Sequence, residues 1–231
     1  LTSITIPDGV TILDNTTFSG CEKLTRVVIG DGLDTIETET FKNCTGLVDV
    51  IIGSGTRSIN SSAFYGCTSL ENLTLGENVT SIGASAFYNC SVLTDIVFGN
   101  KVTSIGDDAF RNCKSLKSLN IPGSVESIGE FCFYGCESLA SVALNEGLTK
   151  ICAGAFSGCP IESIEIPSTV TSIKGTYVDY YTYTHGAFSD CTKLERVVIG
   201  AGISTIESEV FKNCTGLVEV IIGSGKIGDS A

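Results

Sequence analysis

Apolar residues recur along this chain with a period of 23 residues, counted here from Leu1 as position 1. Within a period, apolar side chains occupy positions 1, 4 and 6 and then positions 10 and 13. Positions 4 to 6 alternate as in a short strand, and the frequent Val and Ile at positions 10 and 13 favour a second extended segment. A Gly or Pro at position 7 of most units indicates a turn between the two segments.

The end of each unit carries a Phe at position 18 and a Cys at position 21. The pairs are Phe18 and Cys21, Phe41 and Cys44, Phe64 and Cys67, Phe87 and Cys90, Phe110 and Cys113, Phe133 and Cys136, Phe156 and Cys159, Phe188 and Cys191, and Phe211 and Cys214. We predict one helical turn here, too short to be stable alone. Because one unit cannot enclose a core, neighbouring units must stack. The sequence therefore predicts a mainly β solenoid whose parallel, in-register strands begin at residues 2–6 and recur every 23 residues.

The repeat fills residues 1–231 as a single domain of about ten coils. The eighth unit contains a ten-residue insertion near residues 175–184, and the seventh unit is one residue short after Cys159. The chain starts at the first Leu of a unit and stops before the Phe of another, without a polar cap. Because solenoids need such caps, we expect the chain to be a fragment of a longer protein.

The segments LTSITIP, VTSIG, GASAFYNC and LKSLNIPGSVESIG resemble the BspA-like leucine-rich repeat of bacterial surface proteins. The resemblance covers essentially the whole chain. It implies a right-handed leucine-rich repeat coil, with a concave parallel sheet and short helical turns or extended segments on the other side. It also implies an extracellular or cell-surface protein that binds other molecules.

Acidic residues dominate the charge of the chain, with 26 Asp and Glu against 14 Lys and Arg and a net charge of -12. This charge repels phosphate backbones and anionic lipid headgroups, so we expect no nucleic-acid partner. No apolar run reaches the roughly 20 residues that a membrane-spanning helix needs. We therefore expect no direct membrane insertion of this segment.

The candidate chemistry is sparse, because His185 is the single histidine. A nucleophilic Cys needs a base and an orienting group, and nothing in the sequence supplies both. We expect no catalytic residues, no metal site and no cofactor, and hence no enzyme. The nine Cys at position 21 are predicted to be reduced and buried as small apolar side chains. Cys132 is expected in the core, and Cys152 is expected to be the most exposed thiol.

Two surfaces are candidate ligand sites. The first is a concave stripe at positions 3 and 5, comprising Arg26, Val28, Asp49, Ile51, Asn72, Thr74, Asp95 and Val97. Exposed apolar side chains on an extended concave face favour a binding role, although β propensity alone also explains them. The second surface comprises Tyr177, Tyr180, Tyr181 and Tyr183 of the insertion. Tyrosine is enriched at binding hot spots, and the alternative is a small hairpin that shields the coil.

These features favour a non-enzymatic binding module of a secreted or cell-surface protein. The expected partner is a protein ligand, either a host extracellular protein or a protein of a neighbouring cell, bound through the concave face in interaction or adhesion. One alternative is a structural spacer that presents another domain. A weaker alternative is an accessory domain that positions the substrate of an enzyme.

Overall fold

The computed structural model describes residues 1–175 and 185–223, and in them the chain forms a parallel β solenoid of about nine turns without any helix. The strands of these residues are β1 (Ser3–Ile6), β2 (Arg26–Ile29), β3 (Thr35–Ile36), β4 (Asp49–Ile52), β5 (Ser58–Ile59), β6 (Asn72–Thr74), β7 (Ser81–Ile82), β8 (Ser104–Ile105), β9 (Ser118–Ile121), β10 (Ser127–Ile128), β11 (Ser141–Leu144), β12 (Lys150–Ile151), β13 (Ser163–Ile166), β14 (Ser172–Ile173), β15 (Arg196–Ile199), β16 (Thr205–Ile206) and β17 (Glu219–Ile222).

Each coil contributes to two sheets, as the two apolar segments of the repeat predict. The strands at positions 3 to 6 form the concave sheet, and the two-residue strands at positions 12 and 13 form the second sheet. The second sheet is continuous through eight strands, in the order β16-β14-β12-β10-β8-β7-β5-β3. Pairing is parallel and in register, so that Val27 lies opposite both Ile4 and Val50.

The concave sheet is interrupted, contrary to the prediction of one strand every 23 residues. It consists of the pieces β1-β2-β4-β6, β9-β11 and β13-β15-β17. We call the gap between β6 and β9, where residues 94–97 form no strand, the first seam, and the gap between β11 and β13 the second seam. Beside the first seam, Phe98 replaces the Ile or Leu of other coils and packs edge-on against Phe110, with ring centroids 5.7 Å apart. Beside the second seam, the seventh unit is one residue short and contains Pro160.

A column of stacked Phe rings at position 18 runs along the interior of the solenoid. Neighbouring ring centroids lie 5.2 Å apart at the pair Phe64 and Phe87 and 5.6 Å apart at the pair Phe188 and Phe211. The column also crosses the insertion, because Phe156 and Phe188 still stack at 5.4 Å. The inserted residues therefore leave the packing of the core unchanged.

The segment around this column is a series of turns, so the predicted helical turn is wrong. Backbone N–H groups alternate in direction: Phe64 donates to Ala86 of the next coil at 2.8 Å, whereas Tyr65 donates to Ser62 of its own coil at 3.1 Å. A helix would direct every N–H to a carbonyl of the same segment. Left-handed residues at positions 16 and 20, such as Ser62 and Gly66, also prevent helical geometry.

The Cys residues at position 21 form a ladder of free thiols, and from Cys44 onward each thiol donates to a backbone carbonyl of the preceding coil. The Sγ of Cys67 lies 3.2 Å from the carbonyl oxygen of Phe41, and the Sγ of Cys44 lies 3.1 Å from that of Phe18. Cys21 and Cys214 are only half-buried, so the prediction that all nine are buried is wrong at the two ends. Each terminal coil is covered by a described neighbour on one side only.

We predict that Phe64→Ala lowers the free energy of unfolding by about 3 to 5 kcal/mol, because it opens a cavity in a column with rings on both sides. The matched control is Phe18→Ala, since Phe18 is half-buried and stacks on one ring only. Urea unfolding followed by circular dichroism measures both costs. Equal costs for the two variants would contradict the proposed role of two-sided stacking.

Candidate binding surface

The outward face of the concave sheet carries the side chains of positions 3 and 5, because alternate residues of a strand point to opposite faces. In β4, for example, Val50 and Ile52 are buried whereas Ile51 is 37% exposed. Val97 is 75% exposed, and Val28 is half-buried between its neighbours. The alternation therefore places the predicted stripe on a single face.

A shallow cavity of about 280 Å³ brings part of this stripe together. It is lined by Arg26, Asp49, Val50, Ile51, Asn72 and Thr74. The amide nitrogen of Asn72 donates to Asp49 Oδ1 at 2.6 Å, which fixes both polar groups beside the exposed Ile51. Five of the eight predicted stripe residues thus share one depression.

The remaining stripe residues Asp95 and Val97 lie at the first seam. A cavity of about 240 Å³ there is lined by Glu71, Asn72, Leu73, Thr74, Thr94, Asp95, Ile96 and Val97. Because Asn72 and Thr74 line both cavities, the two depressions are adjacent. Val28 is the only predicted stripe residue that lines neither of these two cavities.

A larger depression at the second seam was not predicted from the sequence. Its volume is about 420 Å³, and it is lined by Ala140, Ser141, Val142, Ala143, Leu144, Glu162, Ser163 and Glu165. The signal was present in the sequence, since the missing residue beside Pro160 precedes β13 directly. From this missing residue, the sequence predicted only a local change in the twist of the coil.

Carboxylates outnumber cations on the concave sheet. At positions 2, 3 and 5, the acidic residues are Asp49, Glu71, Asp95, Glu162, Glu165, Glu195 and Glu219, and the basic residues are Arg26, Lys117 and Arg196. Arg196 is already paired with Glu219, at 2.7 Å from Nε to the carboxylate. The face is therefore electrostatically suited to a basic or neutral ligand.

The predicted site residues Tyr177, Tyr180, Tyr181 and Tyr183 lie outside the described residues. The two ends of the insertion are described, and they meet where the Ala187 N–H donates to the Lys174 carbonyl oxygen at 3.1 Å. A carboxylate oxygen of Glu207 accepts from the Gly175 N–H at 3.1 Å, and the other contacts Lys174 Nζ. Since Lys174 directly follows β14, the insertion leaves the coil from the second sheet and not from the concave sheet.

A row of aromatic and basic side chains at position 19 was also not singled out from the sequence. Tyr65 and Tyr88 stack with ring centroids 4.8 Å apart, and Lys42 Nζ lies 5.5 Å from the Tyr65 ring. The Arg111 guanidinium lies 4.7 Å from the Tyr134 ring and 5.8 Å from the Tyr88 ring. Because these ring faces contact one another or a cation, the row stabilises the turn segments through stacking and cation–π attraction.

The described end of the insertion packs onto this row. His185 lies edge-on to Phe131 and Tyr134, with ring centroids 5.3 and 5.5 Å away. Phe131 occupies position 16 with a left-handed φ of 52°, which is unusual for a bulky residue. The Phe131 ring packs against Gly154 in the next coil. Any other residue at position 154 would place its Cβ 2.5 Å from the ring, which is too close. His185 therefore has a packing role that couples the insertion to an earlier coil.

Most of the thiols are buried, and burial determines their protonation state. In residues 1–175 and 185–223, no group of three His, Cys, Asp or Glu side chains is placed to hold a metal ion. Burial raises the pKa of Cys44 to about 11 and that of Cys136 to about 12. Cys132 is buried, as predicted, and Cys152 is half-buried with a pKa that burial also raises. These thiols are therefore protonated near neutral pH.

The described residues also contain no helix that is long and apolar enough to span a membrane.

Comparison with known sequences identifies the repeat. The pattern of the BspA type leucine rich repeat region matches residues 1–117, 57–183 and 103–231 among its six copies. Together these ranges include every residue of the chain. No curated protein matches the chain at a significant level.

Comparison with solved structures gives the same fold. A leucine-rich repeat protein from Bacteroides ovatus is 26% identical, with a TM-score of 0.76, over 98% of this chain and 62% of that protein. The chain thus spans less than two thirds of the length of this relative. The leucine-rich repeat protein of T. pallidum is 29% identical, with a TM-score of 0.65, over 68% of this chain and 76% of that protein.

We predict that the free energy of unfolding changes little between about pH 7 and 8 and falls above about pH 9, the ordinary range of thiol ionisation. Burial raises the folded-state pKa of Cys44 and Cys214 to about 11, so unfolded thiols lose protons first as the pH rises. Urea unfolding at a series of pH values measures the slope.

The control is a variant with Cys67, Cys90 and Cys113 replaced by Ala, because these three thiols are fully buried. Its slope above about pH 9 should be smaller than that of the original chain, since fewer thiols ionise on unfolding. If the free energy of unfolding falls equally steeply with pH in this variant, groups other than these thiols cause the loss of stability at alkaline pH.

Proposed function

Because the chain belongs to the BspA-type leucine-rich repeat family, we propose that it is a non-enzymatic module that binds a protein ligand through its concave face. Leucine-rich repeats suggest protein interaction at the level of the family. The adhesive role and the concave location are our proposals for this chain. We further propose that it belongs to a secreted or surface-attached protein, whose partner is a host extracellular protein or a protein of a neighbouring cell.

The observation that carries this proposal is the exposure of the apolar side chains Ile51 and Val97 on the concave face. Val97 is 75% exposed and Ile51 is 37% exposed, and Thr74 of β6 lies in the coil between them. Exposed apolar side chains rimmed by polar groups are typical of interaction sites. Here the rim is supplied by Asp49 and Asn72, which are already hydrogen-bonded to each other and so need little ordering on binding.

The insertion remains a second candidate contact. We propose that Tyr177, Tyr180, Tyr181 and Tyr183 contribute aromatic anchors, which are common among residues that dominate binding energy. The hydrogen bond between Ala187 and Lys174 closes the insertion at its base.

A structural spacer is the alternative function that the coil favours. The Phe column and the eight-stranded second sheet continue through the described coils, including the coil that bears the insertion. Such continuity suits a rod that holds another domain at a distance. A spacer does not require exposed Val97 or the seam cavities, and this difference separates the two functions.

We predict that Val97→Asp weakens binding to a protein ligand by about tenfold or more, since an interface core does not tolerate an unpaired charge. A panel of extracellular-matrix proteins, immobilised for biolayer interferometry, provides the measurement. Tyr180→Ala with Tyr181→Ala tests the insertion in the same assay.

The matched control is Ile12→Asp, because Ile12 is a β-branched residue that is 74% exposed outside the concave stripe. It adds the same charge at a similar exposure and should leave binding unchanged. If neither the stripe variant nor the tyrosine variant changes the affinity for any binding protein, and both remain folded, the spacer function is favoured instead.

A further inference from the structure

The second seam lacks a backbone hydrogen bond that occurs on either side of it. At position 2, the Ala140 N–H donates to the Lys117 carbonyl oxygen at 3.1 Å, and the Glu195 N–H donates to the Glu162 carbonyl oxygen at 2.9 Å. In the described coils, no corresponding bond joins Glu162 to Ala140. The facing edges of β11 and β13 are also unpaired, although both strands pair on their other sides.

The cause lies in the seventh unit. Between Cys159 and Ile161 there is a single residue, Pro160, where other units have two residues. Proline has no N–H to donate, and the missing residue removes the turn that leads into the strand elsewhere. The second sheet nevertheless pairs β12 with β14 in register at this coil. The seam is therefore a local opening on the concave face alone.

The width of the opening limits what can enter it. Cα atoms of β11 and β13 still come within 8 Å of one another. Insertion of a whole strand would require the two outer strands to be about 9.6 Å apart, twice the spacing of about 4.8 Å between neighbouring strands. The cavity volume of about 420 Å³ is in the range of sites for small groups. A single side chain of a ligand fits these limits, whereas an added strand does not.

The lining of the cavity determines which side chain is suited to it. Ala140, Ala143 and Ser141 are small and leave the interior open, and Val142 supplies a buried apolar floor. Glu162 and Glu165 are exposed at the cavity, and neither forms an ion pair within the described residues. The unpaired edge on the β11 side adds carbonyl acceptors, and the edge on the β13 side adds N–H donors such as that of Glu162. The negative charge of the slot therefore comes from the two carboxylates above its apolar floor.

We propose that the second seam binds an arginine side chain of a basic protein ligand, an inference that rests on the proposed function of the concave face. A guanidinium group is planar, offers five N–H donors and pairs with carboxylates through two parallel hydrogen bonds. Its aliphatic stem packs on the floor formed by Val142. The excess of carboxylates on the concave sheet attracts a basic ligand to this position.

The test uses N-acetyl-arginine methylamide as a probe, titrated into the ¹⁵N-labelled chain and followed by NMR. We expect chemical-shift changes centred on residues 141–144 and 162–165. Glu162→Gln with Glu165→Gln should weaken binding by about tenfold or more, because hydrogen bonds to a charged group are lost. Ala143→Phe, which fills the cavity and keeps both carboxylates, should also abolish the shifts.

The matched control is Glu22→Gln with Glu126→Gln, which removes two exposed carboxylates outside the lining of the seam and changes the net charge equally. It should bind the probe as the original chain does. Equal weakening in both double variants, shifts spread over other coils, no binding, or equal binding of N-acetyl-lysine methylamide would each overturn the proposal. Val97→Asp should leave probe binding intact, so the proposed function and this inference fail in separate measurements.

Discussion

The fold depends on one constraint, which is that no coil can satisfy its own backbone or bury its own apolar side chains. In the turn segments, alternate N–H groups donate to the next coil, as Phe64 donates to Ala86. The Phe rings stack between coils, and thiols such as that of Cys67 donate to a carbonyl of the coil before them. Because each contact joins nearest neighbours, the stability of the solenoid is a sum of similar junctions.

The sequence predicted the period, the two sheets and the Phe core, because these follow from apolar positions that every unit repeats. It did not predict the turn geometry, since a short Ser-led or acidic segment before Phe has the composition of a helix start. Gly or Asn at position 20, as at Gly66 and Asn89, was the available signal for left-handed residues. Cys21 and Cys214 are half-buried because their coils have a described neighbour on one side only. The repeat pattern is the same in every unit and so does not predict this difference.

The candidate site was only partly predictable for a related reason. Strand alternation placed Ile51, Asn72 and Val97 on one face, and the structure groups them around two adjacent depressions. The seams arise where a unit departs from the repeat, at Phe98 and at Pro160. Whether such a departure twists the coil or opens the sheet depends on the packing of both neighbours, so the sequence alone did not give the cavity at Ser141 and Glu165.

The two faces of the solenoid differ in how they respond to bending. The second sheet keeps its hydrogen bonds at each step from β3 to β16, whereas the concave sheet lacks them at the two seams. The hydrogen bonds of the second sheet fix the distance between neighbouring coils on that side. At the seams of the concave sheet, no such bonds fix this distance. We therefore expect the curvature of the solenoid to change most easily by widening or narrowing of the seams.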